Sequence, residues 1–363
     1  NKYVVVRGLS DRYNQALIND ALMPSSEPDK KAFSFDIIPS SMVDNVIINK
    51  TATPDLPGEF AGGLIQINTK DIPTKNYLSV GFSLGFNTQS TFKDFTSNGH
   101  RGVNWLGFDD GTRELPFAPN TSIPNESQAD PELERLTRSL DPQLGIKRKR
   151  SFLSSNLSFN HGNQVNRGKY TLGYTALFNY QNNFEYYENI ELGEYTKDDN
   201  LSETSLFAEE VRRGELSRTS VLWSALLGGA LKFDNHSLSA SLFRTQNGVS
   251  EASERTNINY DETQATLFES ILTYSQRSVT SGLVSGTHQL GKFRLDWRNA
   301  YTRSRTYDPD FRATAISITN PEEPSLNRGD GAGIQRFWRD LNEFNENMKM
   351  DFTLPYGQMN KFQ

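Results

Sequence analysis

Histidines and carboxylates are the residues of this chain that could do chemistry, but neither set has the spacing of a familiar reactive site. The four histidines are far apart in the sequence and form no metal-spaced pair: His100, His161, His236 and His288. The sequence has no Gly-x-Ser-x-Gly nucleophile elbow, no Walker loop for phosphate and no His-Glu-x-x-His metal motif. We therefore expect a protein that is not an enzyme and that uses no cofactor or metal.

Acidic turns offer a second kind of chemistry, because calcium prefers hard carboxylate oxygens. Asp109-Asp110-Gly111 and Asp308-Pro309-Asp310 are such turns, but neither has the ligand spacing of an EF-hand. The carboxylate pairs Glu209-Glu210 and Glu322-Glu323 and the tripeptide Arg328-Gly329-Asp330 show no further signature of a site. We expect these groups to be solvated in turns and loops.

The composition permits a membrane protein that crosses the bilayer with strands. Only 35% of the 363 residues are apolar, the mean hydropathy is −0.63, and no run of apolar residues is long enough for a spanning helix. In a transmembrane barrel only every second residue faces lipid, so the average hydropathy stays low. The absence of cysteine excludes disulfides and thiolate metal sites, and the formal charge of −6 counts against nucleic acid as a partner.

Strand-like alternation begins near Tyr77 and recurs along the chain. From Leu78 to Phe86 the even positions are apolar and the odd positions are small or polar, and Tyr170–Tyr180 alternates in the same way. Side chains of a strand point alternately to two faces, so each segment has one apolar and one polar face. Eight strands are predicted: one from Tyr77, then Phe152–His161, Tyr170–Tyr180, Val221–Phe233, Ser237–Thr245, Ile271–Leu290, Phe293–Arg303 and one ending at Leu354.

The predicted connections alternate in length. Short turns follow the even-numbered strands, at 162–164, 234–235, 291–292 and 355–357, whereas long polar stretches follow the odd-numbered strands. This asymmetry is typical of outer-membrane barrels. A large soluble β-sandwich or β-helix would also alternate, but soluble strands average about five to six residues and several of these are longer.

Residues 1–75 differ from the rest and predict a small α+β unit. Short strands are predicted at Tyr3–Val6, Gln15–Ile18, Val46–Lys50 and Leu64–Thr69. Met23–Asp29 contains two prolines and is expected to be a loop, and Ile38–Asp44 is expected to be a serine-capped helical turn.

Four segments of this unit resemble, in order and spacing, the second half of the plug domain of TonB-dependent outer-membrane receptors. They are VVVRGL (4–9), ALINDALM (16–23), IPSSMVDNVIINKT (38–51) and GEFAGGLIQINTK (58–70). The sequence departs from the family at Asp20, where glycine is usual, and at 49–52, which replace a common Lys-Gly-Pro. It also lacks the fuller motifs of the glycan-importing subgroup. WLGFDDGTRELP (105–116) and DPDFR (308–312) resemble segments of large Bacteroidota receptors that have a carboxypeptidase-like front domain.

The resemblance implies a mainly β fold, with an antiparallel transmembrane β-barrel and a small α+β plug fragment at the N-terminus. Residues 1–75 would be the C-terminal half of the plug, and residues 76–363 the first part of the barrel. Plugged barrels have about 22 strands, so about eight strands imply part of a longer protein. Gly8, Gly58, Gly62 and Gly63 would permit tight turns inside a filled lumen.

The resemblance also implies a transport function in the cell outer membrane. A ligand would bind to outward-facing plug turns, for which the candidate residues are Arg12, Tyr13, Asn14, Ser25, Ser26 and Glu27. Arg7 would pair with barrel carboxylates as a lock between plug and barrel, or with groups inside the plug. The expected partners are the inner-membrane TonB complex, acting through a segment upstream of residue 1, outer-membrane lipid, and a surface lipoprotein.

Two other functions are compatible with the same residues. The chain could belong to an outer-membrane barrel that serves a structural, adhesion or secretion assembly without active import. It could also be a soluble β-rich protein that binds or hydrolyses glycans, in which case it would be monodisperse without detergent. The substrate of an importer is left open between an iron chelate, a glycan, a peptide and cobalamin.

Overall fold

The computed structural model describes residues 2–53, 56–70, 72–99, 102–125, 130–197, 205–260, 266–318, 324–326 and 333–355. The fold is mainly β, with 63% strand and 7% helix, as the alternation predicts. None of the helices in these ranges is long and apolar enough to cross a membrane. Some features singled out in the sequence lie outside the described residues: His100, Pro54-Asp55, Glu322-Glu323, Arg328-Gly329-Asp330 and Tyr356-Gly357.

A four-stranded sheet forms the centre of the N-terminal unit. Its strands are β1 (Gln15–Ile18), β2 (Ala21–Leu22), β3 (Val43–Asn49) and β4 (Leu64–Thr69). They lie in the order β2-β1-β4-β3, and β1 pairs with β4 in parallel. All four residues of β1 are buried, because β1 lies between β2 and β4 in the interior of the unit. The predicted strand at Gln15–Ile18, the strand at Leu64–Thr69 and the loop at 23–29 are confirmed.

Two local predictions for this unit are wrong. Tyr3–Val6 forms only an isolated bridge between Val6 and Leu9, because the chain turns at once through Arg7 and Gly8, both in the left-handed region. The helical turn exists as the 3-10 helix Ser40–Met42, but Pro39 precedes it and no side chain caps it. The burial of Met42, which is 1% exposed, anchors this turn in place of a cap.

The remaining strands are β5 (Tyr77–Gly85), β6 (Asp94–Ser97), β7 (Lys147–Arg150), β8 (Ser154–Arg167), β9 (Tyr170–Lys197), β10 (Leu206–Phe233), β11 (His236–Asn259), β12 (Thr266–Leu290), β13 (Phe293–Ser317), β14 (Ser325–Leu326) and β15 (Ile334–Thr353). β6 and β7 pair with each other. The other nine form one antiparallel sheet in the order β5-β8-β9-β10-β11-β12-β13, with β14 and β15 both on the far side of β13. The edge strands β5 and β15 do not pair with each other, so the described sheet is open and a closed barrel stays a prediction.

The strands are much longer than the sequence predicts. β9 and β10 have 28 residues each, because the ladder continues through polar stretches that were expected to be connections. Cross-strand ion pairs such as Arg213 with Glu191 stabilise these extensions. Charged residues stand between apolar ones such as Ile190 and Leu192 there, so these segments resemble polar connections in the sequence. The predicted turn at 162–164 is wrong, since β8 continues to Arg167. The short turns at 234–235 and 291–292 are confirmed.

The sheet has an unusual distribution of polarity. We call the face that contacts the N-terminal unit the inner face and the opposite face the outer face. Positions farther from the short turns are described as higher. In β9, Tyr170 and Leu172 point outward and are 59% and 56% exposed, whereas Thr175 and Asn179 point inward and are 4% exposed. The same reversal recurs along the strands. We call the outward apolar positions near the short turns the belt: Leu78, Val80, Phe82, Leu84, Leu172, Phe178, Leu227, Leu242, Val284, Tyr301, Met348 and Met350.

Residues 86–153 connect β5 to β8, and we call this segment the strap. Its described parts, 86–99, 102–125 and 130–153, lie against the outer face above the belt. It contains β6, β7, the 3-10 helix Asn104–Leu106 and the helix α1 (Pro131–Ser139). Thr96 Oγ1 donates to the Ala252 carbonyl at 2.8 Å, and Trp223 Nε1 donates to the Leu106 carbonyl at 2.9 Å. The strap therefore covers outer positions of the sheet above the belt, including those of Trp223 and Ala252.

The apolar core lies between the N-terminal unit and the inner face. Residues of the unit such as Ile18, Ile37 and Ile67 pack in one cluster with inward residues of five long strands, which are Leu177, Leu226, Phe243, Val279 and Ala300. The N-terminal unit thus rests on the lower half of the inner face and leaves the upper half of that face uncovered by the core.

Candidate ligand-binding site

Arg277 of β12 forms the most connected polar contact between the N-terminal unit and the sheet. Its guanidinium lies 3.0 Å from the Asp36 carboxylate and 3.5 Å from the Glu27 carboxylate. It also donates to Ser34 Oγ at 3.0 Å and to Asn247 Oδ1 at 2.9 Å. Arg277 is 9% exposed, so its charge depends on these partners rather than on water.

Inward threonines make a second set of contacts at this junction. Thr245, Thr302 and Thr306 are nearly fully buried, and each donates its hydroxyl proton at 2.7 Å to a backbone carbonyl of the N-terminal unit. These carbonyls belong to Ile37, Leu22 and Ser26. The junction is therefore held by directional polar bonds in addition to its apolar core.

Asp20 connects the first turn of the unit to the sheet. Both Asn19 and Asp20 have positive φ, at 51° and 66°, a backbone conformation that asparagine and aspartate tolerate better than most residues. The Asp20 carboxylate pairs with Arg298 of β13 and accepts a hydrogen bond from Gln66 of β4. The departure from glycine thus supplies an extra ion pair to the sheet.

A cavity of about 620 Å³ lies above this junction, between the loop at 27–36 and the upper inner face. Its lining carries six carboxylates and four cations, an excess of two negative charges. The carboxylates belong to Glu27, Asp29, Asp36, Glu185, Glu251 and Asp308, and the cations to Lys2, Arg218, Arg277 and Arg339. The excess counts against a strongly anionic ligand.

The charges that line the cavity are paired with one another. Arg218 lies 2.5 Å from Glu251, and Arg339 lies 2.6 Å from Asp29 and 2.8 Å from Asp308. Burial opposes the positive charge of Arg339, but Asp308 and Asp29 together raise its pKa. Charges that are neutralised in this way leave hydrogen bonding and ring contacts as the means of holding a ligand.

Two stacked rings form an apolar part of the cavity wall. Phe311 and Phe337 are inward neighbours on β13 and β15, with ring centroids 4.2 Å apart and an interplanar angle of 13°. Amides of Gln181, Asn183 and Asn247 lie in the same lining. An aromatic surface beside amides and paired charges suits a polar ligand of low net charge.

The structure places Glu27, among the predicted ligand residues, in this cavity. Its side chain is 12% exposed and lies 3.0 Å from Lys2 Nζ. Burial and the Glu27 carboxylate raise the pKa of Tyr3, which therefore stays protonated beside it. Ser25 and Ser26 have structural contacts instead: Ser25 N donates to Glu343 at 2.9 Å, and the 1% exposed Ser26 accepts from Ser34 N at 2.7 Å.

Arg12, Tyr13 and Asn14 do not join Glu27 in the cavity lining. Arg12 and Tyr13 are exposed and contact each other, with the guanidinium 4.8 Å from the ring centroid. Asn14 holds the unit together, because Nδ2 donates to the Val4 carbonyl at 2.8 Å. A Cβ on Gly62 would lie 2.2 Å from Asn14 Oδ1, so the close approach expected at this glycine is present. Ligand binding by these three residues stays a prediction.

Arg7 is exposed on the N-terminal unit, with φ of 57°. The structure does not bring it to a carboxylate of the described strands. Ion pairs between the unit and the sheet come instead from arginines of the sheet, which contact carboxylates of the unit: Arg277, Arg298 and Arg339. These three arginines gave no sequence signal, since each stands in an alternating strand among other polar residues. A lock at Arg7 stays a prediction.

The two acidic turns are only partly solvated: Asp110 and Gly111 are exposed, whereas Asp109, Asp308 and Asp310 have buried side chains, contrary to expectation. Asp109 pairs at 2.5 Å with Arg113 in the strap, and both side chains are at most 2% exposed. Asp310, which is 3% exposed, pairs with Arg312 and Arg336. Arginines two, four and 26 residues away in the sequence neutralise Asp310 and Asp109 in place of water. Among the described residues no group of three or more potential ligands is placed to hold a metal ion.

His236 and His288, far apart in the sequence, are cross-strand neighbours on β11 and β12. Their Nδ1 atoms are 3.0 Å apart, and Trp297 Nε1 donates to His288 Nε2 at 3.0 Å. Tyr170 and Phe233 continue this row of rings near the short turns. The register of the strands, which the sequence does not give, creates the pair.

No family model matches this chain, and no curated protein is similar enough to it to count as a match.

Proposed function

We propose that this chain is part of a TonB-dependent outer-membrane importer, with residues 1–75 as the second half of its plug and 76–363 as the first part of its barrel. The observation that carries the proposal is the reversed polarity of the long sheet. Leu227 and Leu242 of the belt are 55% and 50% exposed, whereas the inward Ser224 and Thr245 are fully buried. Water disfavours this arrangement and a surrounding of lipid favours it.

The height of the belt supports a bilayer as that surrounding. In β9 the outward apolar positions, which include the belt residues Leu172 and Phe178, run from Tyr170 to Tyr180, and a rise of about 3.3 Å per residue gives about 33 Å along the strand. At the tilt of about 45° that membrane strands adopt, this corresponds to about 23 Å, close to the band of about 25 Å on outer-membrane barrels. The row of rings from Tyr170 to Trp297 would then lie at the lower interface.

The N-terminal unit supports import rather than a passive barrel. It occupies the inner face, where a plug would lie, and polar bonds from Arg277 and three threonines hold it there. Such bonds can exchange with water when the unit is pulled, because their net contribution is modest, about 0.5–1.5 kcal/mol for a neutral bond. The cavity above the unit would hold the ligand before passage.

In this proposal no covalent step is required. A polar ligand binds between the loop at 27–36 and the stacked rings of Phe311 and Phe337. The TonB complex then pulls on a segment upstream of residue 1, and rearrangement of the plug opens a path along the polar inner face. A surface lipoprotein could deliver the ligand to the upper rim.

Uptake by living cells tests the proposal. A panel of labelled iron chelates, cobalamin, oligosaccharides and oligopeptides is offered to cells that lack this protein and to cells that lack TonB. We expect one compound class to need both proteins, and Phe337→Ala to reduce its uptake while Arg213→Gln, outside the cavity, leaves it unchanged. If no compound needs the protein although it assembles in the outer membrane, the structural, adhesion or secretion alternative is favoured.

A further inference from the structure

A small basic pocket of about 160 Å³ lies on the outer face, between the belt and the strap. Its lining includes Arg244, Arg303, Arg305, Ser278, Tyr307 and Phe108 of the strap. The pocket is on the opposite face from the proposed ligand cavity, so transport of a ligand does not account for it.

Strand register brings the arginines together. Arg244 on β11 faces Thr280 on β12, which in turn faces Arg303 on β13. Neighbouring strands are about 4.8 Å apart, so the two arginines start about 10 Å apart, one on each side of Thr280. Arg305 follows on the same face of β13, one cross-strand row higher.

The charge of this pocket is not balanced by the protein. Arg305 is held by Asp340, at 2.8 and 3.0 Å. Arg244 instead donates to Thr280 and Gln246, and Arg303 donates to Asn342, all of them neutral groups. Within the described ranges, neither Arg244 nor Arg303 forms an ion pair with a carboxylate. Two neighbouring cations in a pocket of this kind are arranged for an anion with several oxygens.

The position of the pocket limits what the anion belongs to. The next cross-strand row below it contains Leu227, Leu242 and Tyr301, which are 55%, 50% and 46% exposed. The row above it contains Trp223 and Gln246, whose side chains hydrogen-bond to the strap and close the pocket from that side. An occupant therefore has its charged group at the arginines and its apolar part along the belt.

We propose that Arg244 and Arg303 bind the phosphate of a phosphorylated lipid from the outer leaflet, whose acyl chains lie against the belt. This inference rests on the proposed membrane location but not on import. The hydroxyl of Tyr307 can add a donor, since burial together with the charges of Glu114 and Asp109 raises its pKa to about 12. Free inorganic phosphate offers the same oxygens to the arginines but has no acyl chains to lie against the belt.

The test uses the full protein extracted from outer membranes in detergent, with binding measured by native mass spectrometry. The probes are phosphorylated lipid A, the same lipid after phosphatase treatment, and inorganic phosphate alone. We expect Arg244→Gln with Arg303→Gln to bind the phosphorylated lipid about tenfold more weakly. Arg213→Gln, which removes an exposed arginine paired with Glu191 near the rim, should bind it as the unaltered protein does.

Each outcome bears on the inference. Equal affinity of the unaltered protein for both lipid forms overturns it, and this comparison needs no variant, so it decides even if the double variant fails to fold. Binding of inorganic phosphate as tight as that of the lipid would assign the pocket to a free anion and also overturn it. A protein that takes up neither detergent nor lipid contradicts the membrane location itself, whereas loss of import with lipid binding intact contradicts only the proposed function.

Discussion

Removing the charge of Arg277 should loosen the N-terminal unit without unfolding the long sheet. The substitution Arg277→Met keeps an unbranched apolar stem and deletes the guanidinium with its bonds to Asp36, Ser34 and Asn247. The sheet retains its ladder hydrogen bonds on both sides of β12, because backbone pairing with β11 and β13 does not involve this side chain. The effect should therefore be confined to the junction.

The expected loss of stability at the junction depends on how exposed the carboxylate partners of Arg277 are. Removing one member of a buried ion pair costs about 3–5 kcal/mol. The Asp36 side chain is 40% exposed and can recover part of its hydration, and Glu27 keeps Lys2 as a partner. We therefore expect a smaller loss, about 2–3 kcal/mol, for the opening of the junction.

Hydrogen exchange of the full protein in detergent measures this opening directly. The reporters are amides of β1 and β4, which are buried at the centre of the N-terminal unit. A loss of about 2–3 kcal/mol corresponds to exchange that is about 30- to 150-fold faster, and amides of β10 and β11 should be unchanged.

A matched control separates this reasoning from a general effect of losing an arginine. Arg213 pairs with Glu191 at 2.8 Å, but both side chains are about half exposed, so Arg213→Met should change exchange by less than about fivefold. The reasoning is refuted if Arg277→Met leaves β1 and β4 protected, or if it accelerates exchange in β10 and β11 to the same extent.

Three further predictions concern the strap and the cavity. Gly248→Val should detach the strap, since even a Cβ there would lie 2.5 Å from Gly107 Cα. We expect faster proteolysis at 102–114. Gly229→Ala should leave the rate of proteolysis unchanged, because the added carbon there meets open space. Burial raises the pKa of Glu215, but hydrogen bonds from Arg148 of the strap and from Tyr186 lower it overall. This stabilisation is present above the ordinary carboxyl pKa, about 4.5, and is lost as pH falls through the lowered pKa of Glu215. Pepsin should therefore cut the strap more readily as the pH falls. Glu215→Gln should remove this pH dependence. Phe337→Ala should weaken binding of the transported compound about tenfold by calorimetry, because it removes one of two stacked rings; unchanged affinity would place the ligand elsewhere.

The sequence predicts the lower half of the long sheet well and the upper half poorly. In Tyr170–Tyr180 the alternation identifies both the strand and its exposed face, because the two faces differ in polarity. In 181–197 apolar residues such as Phe184, Ile190 and Leu192 stand among many charged and amide residues, so the segment resembles a polar connection more than a strand. Pairing across strands, such as Arg218 with Glu251, replaces hydropathy as the stabilising contact there.

The candidate site illustrates the same limit. Glu27 was predicted from a loop with turn chemistry, and it does line the cavity. Its partner Arg277 is 250 residues away, and nothing in the local sequence distinguishes it from other strand arginines. Residues that are brought together only by the register of long strands, including Phe311 with Phe337, need the structure to be found.

The orientation of the belt toward lipid is the central claim, and single cysteines test it directly. The 363 residues contain no cysteine, so a spin label at position 242 reports on the outer face and one at position 241, its neighbour, on the inner face. In native outer membranes we predict that the label at 242 collides with oxygen dissolved in lipid and not with an aqueous nickel chelate, and that the label at 241 is less accessible to oxygen. Equal access of the nickel chelate to both labels would contradict a lipid-facing belt and with it the proposed importer.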